Sequence, residues 1–163
     1  MPIFGRQATA DYLNMAGDTI YGSLFTCPEI GTAKSMSVYF DPTGNGGIKF
    51  KLGIYKNSDQ SLIGYTGEGT SVKGVWVTKD IIWGGTLEAT DYYLVVWLDE
   101  GEKLNYFMTG TSKKDTETYG ESWPNPWVPV ALGAYIFSIY CFYNVEVQAA
   151  GGGPAALVAA GII

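Results

Sequence analysis

Apolar and polar residues alternate along two stretches of the chain strictly enough to define strands. From Ala33 to Phe40, Met36, Val38 and Phe40 alternate with Ser35, Ser37 and Tyr39. From Ile48 to Tyr55, Ile48, Phe50, Leu52 and Ile54 alternate with Lys49, Lys51, Gly53 and Tyr55. A period of two puts the two sets of side chains on opposite faces of an extended chain, so both runs read as half-buried strands. Asp41-Pro42-Thr43-Gly44-Asn45-Gly46-Gly47 lies between them. Its glycines suit a tight reversal, and the reading predicts an antiparallel hairpin.

The rest of the chain follows the same pattern. Residues 1–18 are weakly periodic and are expected to form an N-terminal arm, with Ile3, Phe4, Tyr12 and Leu13 as anchors. Residues 19–27 read as the first strand, and Pro28-Glu29-Ile30-Gly31 as a turn. Leu62–Thr66, Val72–Asp80 and Leu104–Thr109 are further strands, and apolar content continues through Ile81, Ile82, Trp83 and Leu87. Asp91–Leu98, DYYLVVWL, is apolar on both faces, which predicts a central strand covered on both sides or partnered by another subunit. Gly110 to Pro129 reads as the longest loop. Tyr135–Val147 is the last strand, long enough to require a bend or bulge. Antiparallel strands without intervening helices imply an all-β protein, an antiparallel β-sandwich spanning 19–148.

Composition changes abruptly over 149–163. Gly151 to Gly153 form a hinge, and Pro154 to Ile163 are apolar. Ten residues are too few to cross a bilayer, which needs about 20, so no membrane span is expected. The tail is expected to dock or to mediate assembly through Pro154, Leu157, Val158, Ile162 and Ile163, because exchanging a terminal segment between protomers is a low-cost route to oligomers.

At 163 residues the chain supplies one domain. A net charge of −6 with no basic stripe argues against nucleic acid and against an anionic membrane surface. The N-terminus MPIFGRQATADYLN lacks a charged segment followed by an apolar run, so no secretory signal is visible. Cys27 and Cys141 match no metal or redox spacing. They read either as two buried core residues or as a disulfide between the first and last strands.

The absence of histidine removes Ser-His, Cys-His and His-metal arrangements together. A hydrolase would have to draw a carboxylate pair from Asp99, Glu100, Glu102, Asp115, Glu117 and Glu121, which read more simply as solvated loop residues. No enzymatic activity and no cofactor are therefore expected. Asp41, Asn45, Asp59 and Asp99 carry the oxygen ligands calcium prefers, but they stand where Asp and Asn commonly make turns. Trp123 and Trp127, in WPNPW, with Tyr119 nearby, are candidates for stacking on a sugar ring, or else they plug the core. Trp76 and Trp83 carry the same two readings, with the core favoured.

From Tyr21 to Leu98 the phrases YGSLFTCPEIGTAKSMSVYF, KFKLGIY, LIGYTGEG, GVWVTKDI and LEATDYYLVVWL resemble, in that order, a jelly-roll module. Such modules occur in secreted glycan-binding proteins and in phage and archaeal-virus proteins. The resemblance implies a jelly-roll (Greek-key) sandwich and a non-enzymatic role. The expected role is a structural, self-assembling subunit of a virion (capsid, decoration or tail) or an extracellular filament. A carbohydrate-binding or adhesion module is the alternative.

Overall fold

The computed structural model describes residues 2–147. Their strands are β1 (Ile3–Gly5), β2 (Asp11–Met15), β3 (Thr19–Thr26), β4 (Gly31–Tyr39), β5 (Lys49–Lys56), β6 (Leu62–Thr66) and β7 (Gly69–Thr70). They continue as β8 (Trp76–Gly84), β9 (Thr86–Leu87), β10 (Asp91–Leu98), β11 (Glu102–Thr116), β12 (Val130–Phe137) and β13 (Ile139–Val145). No helix occurs among the described residues, so none is long and apolar enough to cross a membrane. The apolar tail and its five assembly candidates lie outside the described residues.

The strands form one antiparallel sheet in the order β1-β13-β4-β8-β6-β5-β10-β3-β11-β12, with β2 added to β11, β7 to β5 and β9 to β4. The sheet curls, and two strands account for much of the bending. β8 pairs with β4 through Trp76–Asp80 and then with β6 through Ile81–Gly84. β12 ends the order at one side, yet only Ser138 separates it from β13 near the other side. Ser138 is buried, its N–H donating to the Asn105 carbonyl (3.0 Å) and its carbonyl accepting from the Tyr39 N–H (3.0 Å). The bend expected in the long final strand is this crossing, together with a register shift between Phe142 and Tyr143.

The predicted hairpin is absent. β4 pairs with β13, β8 and β9, whereas β5 pairs with β10, β6 and β7. The two strands instead face each other through the core, where the rings of Phe40 and Phe50 lie 5.0 Å apart. The alternation holds in both strands, but it specifies only which face is buried. Two such strands satisfy it equally side by side or face to face.

β10 explains its two-sided apolar sequence. Tyr92, Leu94, Val96 and Leu98 enter the main core, and Tyr93, Val95 and Trp97 enter a second cluster on the opposite face with Ile20, Tyr55 and Trp127. The cover on that outer face is the chain's own segment 117–129.

Two further expectations are corrected. Residues 1–18 are not an arm: β1 pairs with β13, β2 pairs with β11, and Phe4 is buried. Nor is 110–129 all loop, since β11 continues to Thr116 after a shift in register between Met108 and Ser112. Ser112 is buried there and donates to the Gly133 carbonyl (2.8 Å), so polar composition concealed a strand.

Glu102, a loop carboxylate in the sequence reading, is 2% exposed. It accepts hydrogen bonds from the backbone N–H groups of Asn45 (2.8 Å), Gly46 (2.9 Å) and Lys103 (2.9 Å) and from the Ser71 hydroxyl (2.7 Å). A carboxylate satisfied in this way organises the 41–47 connection, where Gly46 and Gly47 take φ of 69° and 71°. The disulfide alternative is not what the structure holds. Cys27 and Cys141 are free, buried thiols, with their Sγ atoms 3.3 Å from the Glu29 carbonyl and 3.6 Å from the Phe142 carbonyl. Burial pushes the pKa of both thiols up.

Candidate binding cleft

The cleft forms on the outer face of the sheet, next to the second cluster. Tyr65 on β6 and Trp83 on β8 are cross-strand partners, and their rings stack at 5.3 Å with planes 15° apart. On the other side of Tyr65 stands Gly53 of β5, which presents no side chain. Trp123 occupies that space from above. A Cβ on Gly53 would lie 2.9 Å from Cη2 and Cζ3 of the Trp123 indole. The Trp123 ring stacks on Tyr65 at 5.9 Å and 24°, and meets Trp97 edge-on at 5.0 Å. Trp83, Tyr65 and Trp123 thus stand in a row on the sheet.

The segment carrying Trp123 is fastened along its length. The Trp97 indole N–H donates to the Glu117 carbonyl (3.0 Å), and the Tyr55 hydroxyl to the Pro124 carbonyl (2.8 Å). The Leu62 N–H donates to Asn125 Oδ1 (3.1 Å), and the Trp127 N–H to the Gln60 carbonyl (2.9 Å). A segment held by so many directed bonds keeps the shape of the cleft beside it fixed.

Between the row and this segment lies a cleft of about 410 Å³. Tyr65, Trp83, Trp123 and Ile82 give it apolar walls, while Lys51, Glu121, Ser122 and Asn125 supply polar groups. Ile82 and Trp83 are 66% and 48% exposed. One face of the Trp83 indole is covered by Tyr65, so most of its exposure belongs to the remainder of the ring.

The three aromatic residues singled out from the sequence separate. Trp123 lines the cleft. Trp127 is 1% exposed, stacked on Tyr55 at 5.0 Å and edge-on to Tyr93 at 5.6 Å, and belongs to the second cluster. Tyr119 packs edge-on against Trp97 at 5.7 Å and donates to Glu68 (3.1 Å), outside the residues that line the cleft. Trp83, where a core position was favoured, is open to solvent on a sheet edge of the cleft, and Trp76 packs between Tyr39 and Tyr140. Tyr65 and Gly53 escaped the sequence reading. An isolated glycine in an alternating strand signals close approach of another group, and Gly53 carries that signal.

Of the six carboxylates considered for hydrolysis, Glu121 alone lines the cleft. Glu102 is held in its buried network. Asp115 and Glu117 adjoin each other at the root of the 117–129 segment, where burial raises both pKa values and, for Glu117, the charges of Asp115 and Glu121 add to the shift. Burial also raises the Tyr55 phenol, with Asp115 and Glu117 contributing.

The calcium candidates make turns. Asp41 accepts from the Thr43 N–H (2.9 Å), the Thr43 hydroxyl (2.6 Å) and the Asn105 amide (2.8 Å), and Asp59 from the Ser61 N–H (3.0 Å) and hydroxyl (2.6 Å). Asn45 donates to the Gly101 carbonyl (2.7 Å), and the Asp99 backbone N–H to the Lys49 carbonyl (3.0 Å). Among the described residues no group of three His, Cys, Asp or Glu side chains is placed to share a metal ion.

No protein-family model matches the chain, and no curated protein matches it.

Proposed function

We propose that this chain is a non-enzymatic module that binds carbohydrate in the aromatic cleft and is displayed on a virion or another extracellular assembly. Its curled sheet is read as a jelly-roll β-sandwich. The observation that carries the proposal is the exposed Trp83 indole beside Tyr65 and Trp123, in a cleft that also holds hydroxyl, amide and carboxylate groups. Sugar rings present C–H groups on their faces and hydroxyls around their rims, and this surface offers a partner for each.

Affinity electrophoresis in polysaccharide-containing gels tests it. Trp83→Ala should remove retardation while leaving the far-ultraviolet spectrum unchanged. The expected loss is about 1 to 3 kcal/mol, the scale of stacking one planar ring on an aromatic side chain. Equal retardation of Trp83→Ala and wild type refutes the site.

A second reading, self-assembly as the main role, is favoured by exposed Val145 and Val147, which lead into the apolar sequence of 149–163. Deleting 149–163, and with it Pro154, Leu157, Val158, Ile162 and Ile163, should then reduce the particle mass measured by light scattering. An unchanged mass argues against that role.

A further inference from the structure

Resting on the carbohydrate reading of the cleft, we infer that its ligand is a neutral glycan, with Glu121 and Asn125 reading hydroxyl groups while Trp83 takes a sugar face. The charges around the cleft decide the sign. Lys51 is the ammonium group that lines it, and this cation already lies over two ring faces, 5.2 Å from the Tyr119 centroid and 5.7 Å from that of Trp97. Moving it toward a ligand anion would forfeit both contacts.

The other groups facing this region are mostly acidic. Glu121 lines the cleft. Glu68 accepts the Tyr119 hydroxyl bond at 3.1 Å and lies 3.8 Å from Lys49. Glu117 is close enough to Glu121 for their charges to interact, and Asp115 adjoins Glu117. Tyr119 reports the local field, since burial raises its pKa and Glu68 and Asp99 raise it further. Lys51 and Glu121 are the charged residues that line the cleft; around them Lys49 is paired with Glu68, Lys113 lies 5.1 Å over the Tyr93 ring, and Asp115 and Glu117 extend the acidic side that Glu121 begins, in a chain of net charge −6. A uronate or sulfate seated in the cleft would lie against Glu121, within the Debye length over which salt screens only part of the repulsion.

Hydroxyl groups meet the opposite situation. A carboxylate accepts them in charge-assisted hydrogen bonds, which are stronger than neutral ones. Asn125 uses Oδ1 for the Leu62 N–H, and its amide N–H groups remain as donors in the same cleft. Glu121 as acceptor and Asn125 as donor give the cleft a partner for each role a sugar hydroxyl can play.

The test is affinity electrophoresis of the full chain and its Trp83→Ala, Glu121→Gln and Lys51→Met variants. The probes are neutral polymers (β-glucan, xylan, galactomannan) and anionic ones (polygalacturonate, alginate, a sulfated galactan), at about 50 and about 500 mM salt. The inference expects retardation by a neutral polymer that is insensitive to salt, lost in Trp83→Ala, weakened about tenfold in Glu121→Gln and retained in Lys51→Met. Trp83-dependent retardation by an anionic polymer, weakened by salt and by Lys51→Met, overturns the neutral-ligand inference while the carbohydrate site stands. Retardation by no polymer in a Trp83-dependent way overturns the carbohydrate reading itself.

Discussion

Replacing Gly53 by alanine tests how the cleft is built. The new Cβ would stand 2.9 Å from two carbons of the Trp123 indole and 3.3 Å from Val95 Cγ2. Val95 is buried on the central strand β10 and has little freedom to move, so Trp123 must shift. Overpacking of this kind costs about 1 to 3 kcal/mol. Gly53 does not adopt a positive φ, so removing a glycine from the unfolded chain returns about 0.4 to 1 kcal/mol. The difference is a destabilisation of about 0 to 2.6 kcal/mol, or a fall in Tm of up to about 10 °C for a domain of this size. The more diagnostic effect is local. Trp123 meets Trp97 at 5.0 Å and Tyr65 at 5.9 Å, and displacing it alters the near-ultraviolet circular dichroism that such ring pairs generate. In a Trp123→Leu background Gly53→Ala should cost much less stability than it does in the wild type, because the ring it clashes with is gone. A near-ultraviolet spectrum identical to wild type in Gly53→Ala, with unchanged or higher Tm, would refute the seating of Trp123 on Gly53.

Trp127→Ala should cost about 3 to 5 kcal/mol in denaturant titrations, whereas Trp83→Ala, half-exposed at the cleft, should cost under about 1 kcal/mol; equal costs would contradict their different burial. Glu102→Ala leaves three backbone N–H groups and the Ser71 hydroxyl without their acceptor, and should destabilise by more than about 3 kcal/mol. For Asp41, burial acts to raise the pKa, but hydrogen bonds from Thr43 and Asn105, with Lys103 nearby, outweigh it and hold the group below its usual value. That contribution is present above the unfolded pKa of 3.8 and lost as pH falls through the folded value, so Asp41→Asn should flatten the acid limb of stability against pH. Asp115 and Glu117 are raised, chiefly by burial, so their contribution is present below 3.8 and 4.5 and is lost as pH rises through their folded values. Asp115→Asn/Glu117→Gln should remove that loss, measured by urea titrations between about pH 3 and pH 7. Reductant should leave Tm unchanged, and two thiols should react with a thiol reagent only after unfolding.

The candidate site was partly legible in the sequence. Trp123 was singled out for lying in a proline-bounded polar segment, and it does line the cleft. Trp127, four positions on in the same motif, looked equivalent and is a core residue. Nothing local distinguishes them, because the difference lies in what each meets: a vacancy at Gly53 beside the cleft for Trp123, and the rings of Tyr55 and Tyr93 for Trp127. Trp83 lies on β8 after that strand has left β4 and joined β6, and only this crossing leaves its ring open beside Tyr65.

The alternation of side chains determined the all-β class, most strand positions and the two apolar faces of β10, since each depends on the period of the extended chain. Tertiary structure decided which strands are neighbours. β4 and β5 satisfy their pattern across the core, β1 and β2 gain partners that lie far along the chain, and β11 runs through polar residues paired to β3 and β12. It also decided the role of Glu102, whose surface-like sequence context conceals a carboxylate closed in by four donors. Burial of a face is encoded residue by residue. Pairing, curvature and the cleft depend on contacts between segments distant in sequence, which no local pattern specifies.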